Sequence, residues 1–393
     1  MAGPKRPLPE MKKKTAVLLV LVLAAVVVLA SAYIFHIRQD MTDFGVCYQG
    51  GQRIVQGETL YREADGHLKF KYSPAAALFF APLTVLPSEA AKPVWYILEL
   101  ALLAGIFLFS WRMLPAAAKR ATPVIVWTFL IELKFLAREL ELGQVNLFIL
   151  FILILMLHFL LKGKETLAGL LWGSSLFFKP YALVFLPYFL LKKKFRTLSA
   201  GIAVSVAGLF LPALFYGIKG NFSVLGEWPA TLSKSTSGLL ASYDNASLYG
   251  FLLKTFPSLS KHASGAIFLT FFLALALAVL WMIKKGQAPA APQNPEILES
   301  AFLFILIPLF SPLGWNYNYL YSVLAVMLIL SAWRHFPRTG QIILIINFVI
   351  MSTSLIEVWG RGLFRFYTHY ALVVFNFLIV LASLAYLRAK KTF

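Results

Sequence analysis

This chain of 393 residues has little charge and almost no cysteine. Charged residues make up 13% of it, about half of the roughly 25% that is typical of soluble domains. The single cysteine, Cys47, excludes an intramolecular disulfide and argues against a thiolate metal site. The histidines are scattered without metal-ligand spacing, and no glycine-rich nucleotide motif is present. We therefore expect neither a metal nor another cofactor.

Apolar residues are correspondingly abundant. They make up 60% of the chain, and uninterrupted apolar runs recur from one end to the other. Runs of about 18 or more residues are typical of membrane helices. The pattern predicts an all-α polytopic integral membrane protein with about twelve transmembrane helices. The first run, Ala16 to Ala32, is long and lacks a clear small-residue cleavage site, so we interpret it as a retained helix rather than a signal peptide.

The distribution of basic residues predicts the orientation. Lys12, Lys13 and Lys14 precede the first span, and further Lys and Arg residues gather in alternate loops. By the positive-inside rule we expect both termini to be cytoplasmic. We expect the protein itself to lie in the inner (plasma) membrane of the cell. The same rule explains the net charge of +19 without a nucleic-acid partner.

The chain is expected to form one multi-pass membrane domain over residues 1–393, with three notable loops. Residues 36–92 form a first external loop that contains short surface helices, and residues 217–263 form a second external loop. Residues 284–297, rich in Pro, Ala and Gln, form a cytoplasmic linker. The whole chain has seventeen acidic residues, and five of them lie between Asp40 and Pro87 in the first loop. This loop is therefore too polar to lie in hydrocarbon.

This topology gathers unusual polar side chains on the external face. They are Asp43, Gln144, Asn146, Lys179, Asn245, Trp315, Asn316, Asn318, Arg361 and Arg365. Each has a plainer alternative: Asp43 as a helix cap, Lys179 as a side chain reaching for the interface, the two arginines as contacts for lipid headgroups. The more specific hypothesis is a shared external cavity in which Lys179 acts as a point charge for a phosphate.

An ordered set of short motifs points to a family. It comprises Asp43-Phe44, Tyr48, Gly57, Leu60-Tyr61, Phe70-x-Tyr72-x-Pro74, Gly143-Gln144-x-Asn146, Lys179-Pro180, Asn245-x-Ser247, and Ser311-Pro312 with Trp315. This set resembles glycosyltransferase family 87, whose members are GT-C-type membrane enzymes that use polyprenyl-phosphate sugars. The resemblance implies an external active site in which the first-loop aspartate, here Asp43, is the general base. Many members carry a histidine after the tryptophan, where this chain has Asn316-Tyr317-Asn318, so the role of that histidine cannot be transferred.

The resemblance and the residue map together give the expected function. The protein would transfer a hexose or pentose, with mannose as the first choice, from a polyprenyl-phosphate donor to a lipid or glycan acceptor, with inversion. Such a reaction serves glycolipid biosynthesis in the cell envelope, among membrane lipids. Asp43 would be the base, and Lys179, Arg361 and Arg365 would bind the donor phosphate. The expected substrate-binding residues are Tyr72, Gln144, Asn146, Asn245, Trp315, Asn316 and Asn318.

A transporter or flippase of lipid-linked saccharides is the alternative hypothesis. It would share the spans and the external cations. It would not need a carboxylate in a structured external loop, and it would favour charges near the middle of the membrane or internal repeats.

Overall fold

A computed structural model describes residues 23–24, 26–115, 122–286 and 294–391. The basic N-terminal tail, the first part of the first predicted span and residues 287–293 of the predicted 284–297 linker lie outside the described residues. The part that the structure describes is helical and contains no strand, only an isolated bridge between Asn245 and Trp315.

The helices are numbered in chain order. They are α1 (26–40, with a π-helical turn at Tyr33–Ile37), α2 (Thr42–Val55), α3 (Pro74–Phe80), α4 (Ser88–Met113), α5 (Thr122–Leu142), α6 (Asn146–Leu161), α7 (Glu165–Ser175), α8 (Phe185–Leu191), α9 (Phe195–Phe210), α10 (Ala213–Ser237), α11 (Leu248–Thr255), α12 (Lys261–Gly286), α13 (Pro295–Phe310), α14 (Val323–Ser331), α15 (Arg338–Thr353), α16 (Ile356–His369) and α17 (Val373–Ala389). The 3₁₀ turns are Glu63–Asp65, Ala81–Val85, Pro180–Val184, Asn316–Ser322 and Trp333–His335.

The predicted all-α membrane class is confirmed at this level. The helices α4 and α12 are each long and apolar enough to cross a membrane. The pairs α9–α10 and α15–α16 are bent by 94° and 101°, and each pair also qualifies when it is counted as one span. The other apolar helices are shorter, so the twelve spans and their orientation stay a prediction.

The bundle has a buried centre and an apolar outside. Almost every residue of α13 and α14 is buried. On α12, by contrast, Leu269, Leu273 and Leu277 recur every four residues and are more than half exposed. A stripe of this kind suits contact with lipid tails, because lipid solvates leucine as well as a protein interior does.

Small residues bring α7 and α9 into close contact. A Cβ on Gly169 would lie 2.2 Å from the carbonyl oxygen of Thr197, and one on Gly173 would lie 2.3 Å from that of Gly201. Glycines four residues apart on a membrane helix allow two backbones to approach in this way.

A buried ionic cluster joins α8, α13 and α17. Glu299, on α13, accepts hydrogen bonds from Arg388 at 2.7 Å and from the Tyr188 hydroxyl at 2.8 Å. Lys192 adds an ion pair at 2.9 Å. Since Glu299 is fully buried, its carboxylate needs these partners to compensate for lost hydration.

The segment between α1 and α4 is tied to itself by polar contacts. Arg53 donates two hydrogen bonds to the Asp65 carboxylate, at 2.5 and 2.8 Å. The Tyr61 hydroxyl donates to the Tyr72 carbonyl oxygen at 2.8 Å, and the Tyr48 hydroxyl donates to that of Leu86 at 2.8 Å. These bonds, together with the buried face of α2, hold the segment in a defined conformation.

Candidate active site

Asp43 lies in the first turn of α2, where the helix dipole favours a carboxylate. The helix begins after a backbone break at Met41, which separates it from α1. Phe44, the next residue, is fully buried and stacks on Trp95 with 5.8 Å between ring centroids. The buried neighbour anchors the turn while Asp43 itself stays partly accessible.

Gln144 connects Asp43 to the loop that carries Tyr72. Its Oε1 accepts hydrogen bonds from the Tyr72 hydroxyl at 3.1 Å and from the backbone N–H of Val145 at 3.0 Å. Its Nε2 therefore faces Asp43 and donates to Oδ2 at 2.8 Å. The preceding Gly143 has φ +64°, and a Cβ there would lie 2.7 Å from Phe44. Only glycine takes this conformation readily at so close an approach.

A second chain of contacts holds Lys179. Glu139, fully buried at the end of α5, accepts from the backbone N–H groups of Asn146 at 2.5 Å and Leu147 at 3.1 Å. It thus caps the positive N-terminus of α6. Its other oxygen accepts from Asn146 Nδ2 at 2.9 Å, and Asn146 Oδ1 accepts from Lys179 Nζ at 2.8 Å. Glu139 therefore orients the amide that receives the lysine.

Tyr72 stands between the two chains. Its hydroxyl belongs to the Asp43 chain, and its ring centroid lies 6.0 Å from Lys179 Nζ. Burial first, and then Asp43, raises the pKa of Cys47, while Lys179 opposes that shift. Both charges therefore lie within electrostatic reach of one thiol. The fold brings together Asp43, Tyr72, Gln144, Asn146 and Lys179, which the sequence placed up to 136 positions apart (179 − 43).

The 3₁₀ turn Asn316–Ser322 forms another wall, packed against α5, α6 and α13. Burial, and then Asp43 and Glu139, raise the pKa of Tyr317, so this side chain lies near both carboxylates. Within the described residues, no hydrogen bond reaches Asn316 Oδ1, either polar atom of the Asn318 side chain, or the Tyr321 hydroxyl, all buried. Buried polar atoms without partners are uncommon and suit a ligand rich in hydroxyl groups.

Asn245 and Trp315 meet at a loop crossing. The Asn245 amide donates to the carbonyl oxygens of Leu240 at 2.8 Å and Pro312 at 2.9 Å, and it accepts from the N–H of Gly314 at 3.0 Å. Asn245 is fully buried. Its polar atoms are used within the protein, so the structure gives it a positioning function behind the Trp315 turn.

Arg361 and Arg365 lie on α16, which bends at Gly360. Both are exposed, and no hydrogen bond or ion pair of either guanidinium occurs in the part of the chain that the structure describes. Among the described residues, no hydrogen bond or ion pair joins them to Asp43 or Lys179.

Three charged residues of this site received no function from the sequence. Glu139 was given no function from the sequence, although it organises Asn146 and through it Lys179. Arg138 is close enough to Tyr317 to lower its pKa slightly against the dominant effect of burial. Lys71 lies within electrostatic reach of Asp43 and Lys179. Its only signal was its position inside the Phe70-x-Tyr72 motif.

One group of potential metal ligands occurs among the described residues. The ligand atoms of His36, Asp40 and Glu141 lie within 4.8 Å of one another. Glu141 is already paired with Arg138 at 2.7 Å. We assign no metal to this group.

The sequence was compared with known proteins. Residues 70–312 match glycosyltransferase family 87. An α-(1→3)-arabinofuranosyltransferase of Corynebacterium glutamicum is 28% identical over 50% of this chain and 49% of its own length. No solved structure matches.

Two relatives from Mycobacterium tuberculosis are covered further. The polyprenol-phosphate-mannose-dependent α-(1-2)-phosphatidylinositol mannoside mannosyltransferase is 25% identical over 76% of this chain and 71% of its own length. The corresponding pentamannoside mannosyltransferase is 22% identical over 90% and 83%. The chain thus spans about half of the first relative and most of the other two. The family match covers more than half of the chain and agrees with its apolar helices. The chain therefore belongs to glycosyltransferase family 87.

Proposed function

We propose that the protein transfers a sugar, mannose as the first choice, from a polyprenyl-phosphate donor to a hydroxyl group of a lipid or glycan acceptor. The reaction takes place on the external face of the plasma membrane and inverts the anomeric centre. The main support for this proposal is a pair of hydrogen-bonded networks, one that holds Asp43 and one that holds Lys179. Tyr72 contacts both. The names of the mycobacterial relatives support the choice of donor and of a phosphatidylinositol mannoside as acceptor class.

In the proposed step the acceptor oxygen attacks the anomeric carbon while Asp43 takes the acceptor proton. The bond between that carbon and the phosphate oxygen breaks, and its electron pair leaves with the polyprenyl phosphate. Because the leaving phosphate gains negative charge, a nearby cation stabilises the transition state. Lys179, held by Asn146 at 2.8 Å, supplies that charge. A single displacement inverts the configuration.

The remaining expected residues divide by their contacts. Gln144 orients Asp43, and Asn146 orients Lys179. The unpartnered amides of Asn316 and Asn318 suit the sugar hydroxyls. Asn245 positions the turn that begins at Trp315. For Arg361 and Arg365 we retain donor-phosphate binding as a hypothesis, since both side chains are exposed and neither guanidinium has an ion-pair partner among the described residues.

The test is sugar transfer by purified protein in liposomes. A synthetic polyprenyl-phosphate mannose is the donor, a phosphatidylinositol mannoside is the acceptor, and a nucleotide-linked mannose is the negative control. We expect product only with the lipid donor. A polyprenyl-phosphate arabinose in parallel distinguishes mannose from the pentose suggested by the Corynebacterium relative. Transfer from the nucleotide sugar, or no transfer from either lipid donor, would refute the proposal.

A further inference from the structure

Lys71 lies in an extended segment that the fold fixes from two sides. Two residues later, the Ser73 N–H donates to the carbonyl oxygen of Phe177 at 3.1 Å, and Phe177 itself lies two residues before Lys179. On the other side, Trp228 Nε1 of α10 donates to the Lys71 carbonyl oxygen at 3.1 Å. The backbone of Lys71 is therefore held beside the segment that carries Lys179.

The neighbouring Tyr72 places this segment in the active site. Its hydroxyl reaches the amide that holds Asp43, and Lys179 Nζ lies 6.0 Å from its ring centroid. Lys71 therefore directly precedes Tyr72, the residue that contacts both the Asp43 chain and Lys179.

The Lys71 ammonium has no compensating partner. It is partly buried, and no hydrogen bond or ion pair of its Nζ occurs among the described residues. Lys69, two residues earlier, is neutralised by an ion pair with Glu63. Burial lowers the pKa of Lys71, Asp43 raises it, and Lys69 and Lys179 lower it. The site therefore places two lysines near Asp43, while the second carboxylate, Glu139, is engaged by Asn146 and by the N-terminus of α6.

This arrangement indicates the chemical class of ligand that Lys71 would bind. Asp43 Oδ2 is engaged by Gln144 at 2.8 Å, and no ion pair joins Asp43 to Lys71 among the described residues. Desolvating an ammonium without a counter-ion is unfavourable, so an anion that enters between the lysines would be strongly favoured. A lipid-linked phosphate fits, because its free oxygens accept from more than one cation at once. The donor binds as a phosphodiester and leaves as a phosphate monoester.

We propose that Lys71 is a second phosphate-binding residue of the donor site, so that the lipid-linked phosphate lies between the Lys71 and Lys179 ammoniums. This inference rests on the proposed function for the identity of the phosphate. It gives the departing polyprenyl phosphate two cations, in contrast with the exposed arginines of α16. Lysine suits this position because it acts as a compact charge without a fixed fork geometry.

The test is the Lys71→Gln variant, with Lys69→Gln as the matched control from the same segment. We expect Lys71→Gln to raise the donor KM, and the inhibition constant of free polyprenyl phosphate, by about ten- to a hundredfold. The acceptor KM should not change. Lys69→Gln should leave all three constants near the parental values. Lys71→Arg keeps the charge and should restore most of the phosphate affinity.

The outcomes separate this inference from the proposed function. Parental values of donor KM and inhibition constant in Lys71→Gln, with sugar transfer intact, would overturn the Lys71 assignment alone. Conversely, an equal loss of phosphate affinity in Lys69→Gln would point to the general charge of the loop and also overturn it. Polyprenyl phosphate binding that depends on Lys71, in a protein without any sugar transfer, would support the anion site and refute the transferase. If Lys71→Gln fails to fold, Lys71→Arg and Lys71→Met are compared by the same binding measurement.

Discussion

Replacement of Asp43 by asparagine is the sharpest test of the mechanism, because the structure separates the base from the scaffold. Gln144 Nε2 donates to Asp43 Oδ2 at 2.8 Å, and an asparagine can present its own oxygen to the same donor. The Tyr72–Gln144 contact and the buried Phe44 would be untouched. We therefore expect Asp43→Asn to fold normally.

The expected loss is large and confined to turnover. Removal of a general base typically costs about 10²–10⁴ in rate, which corresponds to about 3–5 kcal/mol of transition-state stabilisation. Donor affinity should stay near parental, because Lys179 is held by Asn146 and Glu139 rather than by Asp43. The measurement is the transfer rate at saturating donor and acceptor, with the donor KM determined in parallel.

Asp40→Asn is the matched control. Asp40 lies three residues earlier on α1, is exposed, and belongs to the group with His36 and Glu141. It should remain active at equal expression. If Asp40→Asn is inactive and Asp43→Asn is active, the assignment of the base is wrong. If both keep the full transfer rate, the protein is a transferase in which Asp43 is not the general base.

Further predictions concern the phosphate, stability, pH and orientation. Lys179→Ala should raise the donor KM by about ten- to a hundredfold, and an unchanged value measured with the lipid donor would exclude contact with the phosphate. Glu299→Ala should destabilise the bundle by about 3–5 kcal/mol, because it removes the carboxylate that compensates Arg388; an unchanged thermal midpoint in detergent would contradict this. The arginine that binds Asp65 holds the pKa of that carboxyl below its usual range. Its stabilisation is therefore complete above the ordinary pKa and lost as the pH falls through the lower folded value, so wild type and Asp65→Asn should differ in stability at neutral pH and converge in acid. In a Cys47→Ser background, cysteine placed at Lys179 should react with an external reagent and cysteine placed at Lys193 should not, and the reverse pattern would overturn the orientation.

Local sequence patterns predicted the helices well where apolar runs are long. The apolar runs at about Val145–Leu161 and Ile297–Phe310, each expected to be a helix, correspond to α6 (Asn146–Leu161) and α13 (Pro295–Phe310). The second external loop was expected as a polar loop, yet it contains α10 and α11. A helix with one polar face and few neighbours has the composition of a loop, so composition alone did not distinguish them.

The site depends on contacts that no local pattern contains. Asp43 and Gln144 were picked out by motif, and the structure joins them across 101 positions (144 − 43). The function of Glu139 follows from where the N-terminus of α6 comes to lie, which the sequence shows only after folding. Lys71 looked like one of many basic loop residues, because charge runs do not reveal which lysine finds an acidic partner. Glu63 neutralises Lys69 and leaves Lys71 for another anion.

Ionisable residues inside the bundle bear on the choice between transferase and transporter. Charges near the middle of a membrane would favour transport, and α5 carries both Glu132 and Lys134. Glu132 accepts a hydrogen bond from the hydroxyl of Ser322 at 2.6 Å, and Ser322 ends the turn that supplies Asn316 and Asn318. Lys134 reaches across to α15 and α16, where it hydrogen-bonds the Ser354 hydroxyl and lies 5.5 Å from the Tyr367 ring centroid.

These contacts attach the walls of the site to α5 rather than line a path across the membrane. The last turn of the same helix carries Glu139, which organises Asn146 and through it Lys179. One helix thus carries the buried charges that position both the Asn316–Ser322 turn and Lys179. A transporter must release such contacts to alternate between two faces, whereas a transferase needs them fixed, because catalysis depends on preorganised charges. The fixed, bonded arrangement on α5 therefore favours sugar transfer.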